Sequence, residues 1–189
     1  ARKFENVSIL FTDFKNFTKV AEELPAIELV NEINDYFKLF DQITTVYGVE
    51  KIKTIGDAYM AAGGIPRSYQ DSVKRTVLAA IEMQVKITDM NRKKEAQGRH
   101  FFPMRVGIHT GPVVAGIVGK KKFQYDVWGD TVNTAARMEQ SGEPGKVNIS
   151  GDTYHIIKDE PDFVFEARGR VEAKNKGEIE MYFVSVARK

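Results

Sequence analysis

Val49-Glu50-Lys51-Ile52-Lys53-Thr54-Ile55-Gly56-Asp57-Ala58-Tyr59-Met60-Ala61, residues 49–61, is the stretch that determines the fold class. Two β-rich runs flank a Gly-Asp pair, which is the pattern of a β-hairpin with a tight turn. A hairpin joins antiparallel strands, whereas strands joined by crossover helices run parallel. The segment therefore predicts a sheet that contains antiparallel pairs.

The residues before the hairpin predict a strand and then a helix. Val7-Ser8-Ile9-Leu10-Phe11-Thr12 is a short apolar run that ends at Asp13, as expected for a buried strand. Pro25 suits the first turn of the helix that follows. Apolar residues at spacings of three and four predict its buried stripe: Val30, Ile33, Phe37 and Phe40.

The residues after the hairpin predict two more helices and several strands. A helix is expected from about Gln70 to Arg92, and its predicted inward residues are Val73, Val77, Ala80, Ile81 and Val85. Residues 104–109 alternate between apolar and other residues, so a strand there would direct Arg105 away from the core. Asp130 suits the N-cap of a helix that runs to about Glu139. Hairpins mixed with crossover helices predict an α+β fold with a largely antiparallel sheet.

Composition excludes several functional classes. The 189 residues include 28 Lys+Arg and 26 Asp+Glu, a near balance that argues against a protein that wraps nucleic acid or binds a membrane by bulk charge. The chain has 0 cysteines, which excludes disulfides, Cys-ligated zinc and thiol nucleophiles. No apolar run approaches the ~20 residues of a membrane-spanning helix. We expect a single domain over residues 1–189, and the absence of an initial Met suggests that it comes from a longer protein.

Two aspartates are the strongest candidates for metal ligands. Asp13 ends an apolar strand and Asp57 lies in the hairpin turn. If these strands are neighbours, two oxygen donors meet at one edge of the sheet, where Mg²⁺ can be held together with phosphates. Main-chain N–H groups near 16–18, at the start of the next helix, could bind an anion. On spacing alone, the structural alternative is favoured, in which Asp13 caps a helix and Asp57 is a turn residue.

A second candidate pair lies on the helix after Asp130. Asn133 and Arg137 are four residues apart, so they share one face of a helix and can reach one ligand. Asn can orient a ribose, and Arg can bind a phosphoryl group through two hydrogen bonds. An ordinary surface pair is the alternative, and spacing alone favours it. His109 could act as an acid or base, but a single His at a strand end is more often structural.

Four segments together resemble one family. They are Phe11-Thr12-Asp13-Phe14-Lys15-Asn16-Phe17-Thr18, Lys51 to Met60, Arg105-Val106-Gly107-Ile108-His109-Thr110-Gly111, and Tyr125 to Met138. In this order they resemble the catalytic domain of class III nucleotide cyclases, and the match is closest to adenylyl cyclases of class IIIa. Four ordered motifs are far more specific than any one of them. The resemblance implies a ferredoxin-like, mostly antiparallel sheet with flanking helices.

The resemblance also implies a role for each candidate residue. Asp13 and Asp57, helped by the Phe14 carbonyl, would bind two divalent cations, Mg²⁺ or Mn²⁺. The contacts around the phosphates are matched to Phe14, Lys15, Asn16, Phe17 and Thr18, and the triphosphate contacts to Arg105 and Lys174. The adenine contacts are matched to Lys53 and Asp126. The contacts to the ribose and the reacting phosphate are matched to Asn133 and Arg137. Lys176 could replace Lys174, because the segment reads Lys-Asn-Lys-Gly where related domains often have Lys-Gly-Lys-Gly.

From these roles the resemblance implies an adenylyl cyclase that converts ATP to 3′,5′-cyclic AMP and pyrophosphate. Lys53 and Asp126 favour ATP, since related guanylyl cyclases typically carry Glu and Cys there. The chain matches both halves of a site shared between subunits, which implies a homodimer with two composite active sites. A regulatory domain upstream in the parent protein, a cytoplasmic location, and no contact with nucleic acid or membrane are also expected. The alternatives are a guanylyl cyclase and a catalytically silent nucleotide-binding module that dimerises.

Overall fold

The computed structural model describes residues 1–187. The elements along the chain are β1 (Arg2–Phe14), α1 (Phe17–Glu23), α2 (Ala26–Tyr47), β2 (Glu50–Ile55), β3 (Ala58–Gly63), α3 (Ser72–Ala96), β4 (Met104–Val118), β5 (Gln124–Trp128), α4 (Asp130–Gln140), β6 (Val147–Ser150), α5 (Gly151–Ile157), β7 (Phe163–Ala173) and β8 (Gly177–Val186).

All these strands belong to one sheet. Its order is β2-β3-β1-β4-β6-β8-β7, and β5 pairs with the outer half of β4. Within the described part of the chain, β4 and β6 form the parallel pair, and the other pairs are antiparallel. The predicted hairpin is present as β2 and β3, with Ile55 opposite Ala58. The prediction of an α+β fold with a mostly antiparallel sheet is confirmed.

Strand β1 runs through the middle of the core. Leu10 packs in the larger apolar cluster, which contains residues of α2 and α3, while Ile9 and Phe11 pack in a second cluster with residues of β5 and α4. Successive side chains point to opposite faces of a strand, so β1 is covered on both sides. This explains why its sequence is a continuous apolar run rather than an alternating one.

Two predicted core positions are exposed. Val30 is 64% exposed, because the inward face of α2 continues back from Ile33 by four residues to Leu29 rather than by three to Val30. Val85 is 62% exposed, since the neighbouring Gln84 occupies the inward position instead. The Gln84 Nε2 group donates hydrogen bonds of 2.8 Å to the carbonyls of Met104 and Lys146, so a polar residue links α3 to the ends of two strands.

Helix boundaries also differ from the predictions. Helix α2 begins one residue after Pro25, and Asp130 is the first residue of α4 rather than its N-cap, which is Gly129. Helix α3 extends beyond the predicted end at Arg92. Lys94 lies in this extension and is buried. Its positive charge is compensated there, because its Nζ group donates hydrogen bonds to carboxylates of α2. None of the helices within residues 1–187 is long and apolar enough to cross a membrane.

Gly107 allows α4 to press directly onto β4. A Cβ atom at this position would lie 2.0 Å from the backbone nitrogen of Glu139, and real Cβ atoms essentially never approach so closely. The glycine therefore brings the last turn of α4 beside Arg105, two residues earlier on β4.

Candidate active site

Asp13 and Asp57 meet at one edge of the sheet, as predicted. Asp13 lies near the end of β1, and Asp57 lies in the turn before β3, whose Tyr59 pairs with Thr12. Burial, a hydrogen bond with Asp57, and the negative charges of Asp57 and Glu139 raise the pKa of Asp13 to about 7. Two carboxylates held this close together repel each other, and a bound cation would offset that repulsion.

Arg105 is the cation nearest to this pair. It lies directly across from Asp13 in the β1–β4 ladder, and its Nη2 atom is 3.6 Å from Oδ2 of Asp13. Its Nε atom is 3.0 Å from Oε2 of Glu139, an ion pair in which neither buried atom has a well-directed hydrogen bond. The charge of Arg105 lowers the pKa of Asp13, but less than the other influences raise it.

Glu139 is a member of this cluster that the sequence analysis did not single out. Its residue is 7% exposed, and burial raises its pKa despite the nearby Arg105. Helical spacing could have revealed it, because Glu139 lies four residues after the fully buried Ala135 and therefore on the same inward face of α4. A buried carboxylate on an apolar helix face requires a partner.

Phe14 can contribute to a metal site only through its backbone. Its ring is buried among aromatic side chains and lies 4.9 Å from the ring of Tyr36, measured between centroids. The next residues turn sharply: Lys15 and Asn16 are exposed, and Asn16 has a left-handed backbone with φ of 63°. Phe17 and Thr18 then begin α1, so the predicted phosphate-binding segment forms the loop and first turn beside Asp13.

Lys53 and Asp126 form a second polar pair, between β2 and β5. The Lys53 Nζ group lies 2.9 Å from Oδ2 of Asp126 and donates a hydrogen bond to it. The other carboxylate oxygen, Oδ1, accepts a hydrogen bond of 2.9 Å from the backbone N–H of Val127. Asp126 is 9% exposed. A cationic donor and an anionic acceptor are thus held side by side.

Asn133 and Arg137 lie on α4, as predicted. Asn133 is exposed, and Arg137 Nη1 donates a 2.7 Å hydrogen bond to Oε1 of Gln140. The Nε atom of Arg137 is buried without a hydrogen-bond partner, so this guanidinium retains unused bonding capacity. Within residues 1–187, no hydrogen bond or ion pair joins either residue to Asp13 or Asp57.

The two candidate lysines of the β7–β8 turn have different environments. Lys174 is exposed, whereas Lys176 bonds through Nζ to Oδ1 of Asp130 at the start of α4. The structure thus leaves Lys174 accessible to a ligand and anchors Lys176.

The donor set fits a hard divalent cation that is shared with a ligand. Asp13, Asp57 and the Phe14 carbonyl supply oxygen atoms, which Mg²⁺ and Mn²⁺ prefer. Across residues 1–187, no group of three or more His, Asp or Glu side chains is placed to hold a metal alone. A cation here would therefore need further oxygen ligands, such as those of a phosphate or water. The arrangement is thus suited to a divalent cation that is bound together with a phosphate-bearing ligand.

Comparisons with known proteins identify the family. The family model of the adenylate and guanylate cyclase catalytic domain matches residues 1–186. The rat guanylate cyclase soluble subunit beta-2 is 39% identical over 97% of this chain and 26% of its own length. An adenylate cyclase of Mycobacterium tuberculosis is 37% identical over 97% of this chain and 40% of its own length. The adenylyl cyclase CyaB of P. aeruginosa superposes with a TM-score of 0.91 at 28% identity, covering 100% of this chain and 98% of that one.

The chain belongs to the adenylate and guanylate cyclase catalytic domain family, as a class III cyclase domain. The relatives include both a guanylate and an adenylate cyclase, and class III cyclases generally use divalent metal ions. The chain spans about a quarter of the rat relative and two fifths of the mycobacterial one. One of these relatives is named a guanylate cyclase and the other an adenylate cyclase, and their identities to this chain are nearly equal. Overall sequence similarity therefore does not determine which purine nucleotide is the substrate.

Proposed function

We propose that this domain is an adenylyl cyclase, which converts ATP to 3′,5′-cyclic AMP and pyrophosphate in active sites shared between two copies of the chain. The observation that carries the proposal is the 2.9 Å pair of Lys53 Nζ and Asp126 Oδ2. Every other site residue would serve ATP and GTP equally, because both substrates share the ribose and the triphosphate.

Adenine matches this pair in donor and acceptor order. Its recognition edge has a ring-nitrogen acceptor beside an amino donor, which would face the Lys53 donor and the Asp126 acceptor. Guanine presents the reverse at that position. Its groups would remain unpaired in a partly buried site, and this is how polar recognition rejects a wrong substrate most strongly. The N–H of Val127 fixes the Asp126 carboxylate and so preorganises the acceptor.

Asp13, Asp57 and the Phe14 carbonyl would hold the divalent cations, in the proposal two of them, Mg²⁺ or Mn²⁺. When bound, such ions lower the pKa of the ribose 3′-hydroxyl and neutralise charge on the departing pyrophosphate. In the protein, burial and the neighbouring Asp57 carboxyl together raise the pKa of Asp13 to about 7, and the proximity of the two carboxyl groups supports this assignment.

The triphosphate would be bound by cations on each side. Arg105 lies beside Asp13 in the same chain, so it can bind the phosphates that extend from the metal site. Lys174 is exposed and not tied to Asp130, which favours it over Lys176. Main-chain N–H groups of the loop from Phe14 to Thr18, with the Lys15 and Asn16 side chains, would complete the phosphate contacts.

Asn133 and Arg137 would act on the reacting centre. Asn133 would orient the ribose, and Arg137 would stabilise charge that develops on the α-phosphate during attack. The buried, unpartnered Nε atom of Arg137 supports this role, because an unsatisfied guanidinium N–H needs an anionic acceptor.

A shared site explains why these two groups do not meet Asp13 within one chain. The β4–β5 hairpin also exposes large apolar side chains that a second copy would cover: Ile117 at 69%, Val118 at 41%, Phe123 at 76% and Trp128 at 41%. Val118 and Trp128 project from one face of this hairpin and Ile117 from the other. Large exposed apolar side chains of this kind favour an association site. We place a regulatory domain upstream in the parent protein and the active site on the cytosolic side, where ATP is available.

The test is a product assay with ATP and GTP in parallel, over a range of protein concentration and with Mn²⁺. We expect cyclic AMP, a higher kcat/KM for ATP, and specific activity that rises with concentration as dimers form. The double variant Lys53→Glu, Asp126→Cys should lose the preference for ATP. A higher kcat/KM for GTP would establish a guanylyl cyclase instead, and binding of nucleotide without product would establish a silent module.

A further inference from the structure

The first residues of the chain form a separate part of β1. Arg2, Lys3 and Phe4 pair with Ala115, Val114 and Val113, and a bulge at residues 5 and 6 separates them from the rest of the strand. The same segment of β4 pairs on its other edge with β5, where Val114 lies opposite Trp128 and Ala115 opposite Val127. Residues 1–4 are therefore the third strand of a small ribbon that carries β5. We call them the N-terminal brace.

Gly116 shows how closely the brace approaches Asp126. Gly116 is the residue of β4 directly opposite Asp126. A Cβ atom at 116 would lie 3.0 Å from the Cα atom of Ala1 and 3.4 Å from its Cβ. Residues opposite each other in a ladder project from the same face, about 5 Å apart. Ala1 thus occupies the space beside Asp126 that a side chain at 116 would take.

Phe4 fixes the opposite face of the same ribbon. Its ring packs with the apolar cluster that contains Val113, Ala115 and Val127, and Tyr125 packs there as well. Tyr125 and Val127 flank Asp126 in sequence. Their packing on this side of β5 therefore determines how close Asp126, on the other side of β5, comes to Lys53. The Arg2 guanidinium covers the Phe4 ring at 4.8 Å.

We infer that the N-terminal brace is a positioning element of the purine pocket, and that Phe4 and the Ala1–Gly116 contact hold Asp126 at its distance from Lys53. The inference rests on the proposed function, because it takes Asp126 as the acceptor for the base. Within residues 1–187, no hydrogen bond or ion pair joins the brace to Asp13 or Asp57, although Phe4 packs in the apolar cluster that also contains Ala135 of α4. The brace should therefore affect base selectivity and leave metal use unchanged.

The experiment compares Phe4→Ala and Gly116→Val with the control Lys3→Ala. Lys3 is the neighbouring brace residue, exposed, with only a surface ion pair to Glu5 at 3.5 Å. For each protein, kcat/KM is measured for ATP and GTP, and Mn²⁺ activation is titrated at saturating nucleotide. Equilibrium binding of 3′-deoxy-ATP and 3′-deoxy-GTP, which lack the attacking hydroxyl, measures recognition without turnover.

We expect Phe4→Ala and Gly116→Val to reduce the ATP-to-GTP ratio by about fivefold, as for loss of one net hydrogen bond to the base. The half-activating Mn²⁺ concentration should stay at the wild-type value, and Lys3→Ala should match wild type throughout. Phe4→Leu replaces Phe4→Ala if the latter does not fold.

The result that overturns the inference is wild-type selectivity in folded Phe4 and Gly116 variants while Asp126→Ala loses it. An equal loss for both nucleotides together with a shifted Mn²⁺ curve would also overturn it, since that is the signature of a general structural defect. Unchanged selectivity in Asp126→Ala would refute the proposed base recognition itself, and this inference with it.

Discussion

The Nε atom of Arg105 lies 3.0 Å from Oε2 of Glu139, which places a buried carboxylate behind the arginine that faces Asp13. Arg105 is thus shared between two acids. Glu139 partly neutralises the guanidinium of Arg105, so less of this positive charge acts on Asp13, whose Oδ2 atom is 3.6 Å from Nη2. Without Glu139, the guanidinium would neutralise Asp13 and compete with a cation for it.

Glu139→Gln should therefore weaken metal use. We expect the half-activating Mn²⁺ concentration to rise by about tenfold, the lower end of effects seen when partners of metal ligands are removed. Mn²⁺ titrations of the cyclase rate at saturating nucleotide measure this shift. Glu143→Gln is the matched control, because Glu143 is exposed and pairs only with Lys146 at 3.5 Å. An unshifted titration in Glu139→Gln would show that Arg105 does not compete for Asp13.

Removing one charge of the aspartate pair should stabilise the metal-free protein. The raised pKa of Asp13, about 7, means that the folded state binds more protons than the unfolded state between about pH 4 and pH 7. Stability therefore falls as pH rises through this window. Asp57→Asn relieves the repulsion and should raise Tm at pH 8 in EDTA by a few degrees, which corresponds to about 1 kcal/mol.

Calorimetry with and without Mn²⁺ tests this prediction. Mn²⁺ should stabilise wild type, where it offsets the repulsion between the two carboxylates, and have little effect on Asp57→Asn, which should also be inactive. A lower Tm for Asp57→Asn in EDTA would contradict the prediction, since it would mean that the two carboxyl groups do not repel each other in the folded protein.

The hairpin could be predicted because it depends on local signals, whereas the meeting of Asp13 with Asp57 depends on the pairing of β1 with β3, and only the family resemblance implied it. A Gly-Asp turn fixes the register of its strands, and an apolar run that ends in Asp fixes the strand end. The inward positions of Glu139 and Gln84 were not predicted, because each is a polar residue on a face that is otherwise apolar. Their burial is compensated by partners far away in sequence, Arg105 in one case and the carbonyls of Met104 and Lys146 in the other.

The N-terminal brace illustrates the same limit. Its pairing with residues 113–115 depends on a bulge at residues 5 and 6 and on a glycine more than a hundred residues away, neither of which has a local sequence signature. Base specificity is limited differently. In the proposed function it rests on Lys53 and Asp126, and the 2.9 Å distance between Lys53 Nζ and Asp126 Oδ2, which lie on two different strands, is a property of the folded sheet.

Lys94 should be a large contributor to stability. It is 3% exposed, and its Nζ group lies 2.7 Å from Glu32 and 2.9 Å from Asp35, so it joins α3 to α2. Lys94→Met keeps the length of the side chain but leaves both carboxylates without this partner. We expect a loss of about 3 kcal/mol in the free energy of unfolding, as when one partner of a buried ion pair is removed.

Urea denaturation measures the Lys94 effect, and Lys93→Met is its control. Lys93 makes an exposed pair with Asp89 at 3.1 Å, so its loss should change stability by less than about 0.5 kcal/mol. Equal effects of the two substitutions would show that burial of Lys94 adds nothing to its ion pairs.

Complementation between inactive chains tests the shared active site. Asp57→Ala removes a metal ligand, and Arg137→Ala removes the guanidinium whose Nε atom is buried and unpartnered. Each homodimer should be inactive, because both of its sites carry the lesion. In a mixed dimer one site carries both lesions and the other carries none, so the isolated heterodimer should have up to about half of wild-type activity, and an unseparated random mixture up to about a quarter. Activity is measured after the chains are co-expressed with different affinity tags and the heterodimer is isolated. If the isolated heterodimer stays as inactive as its parents, each chain holds a complete site of its own, and the composite arrangement is wrong.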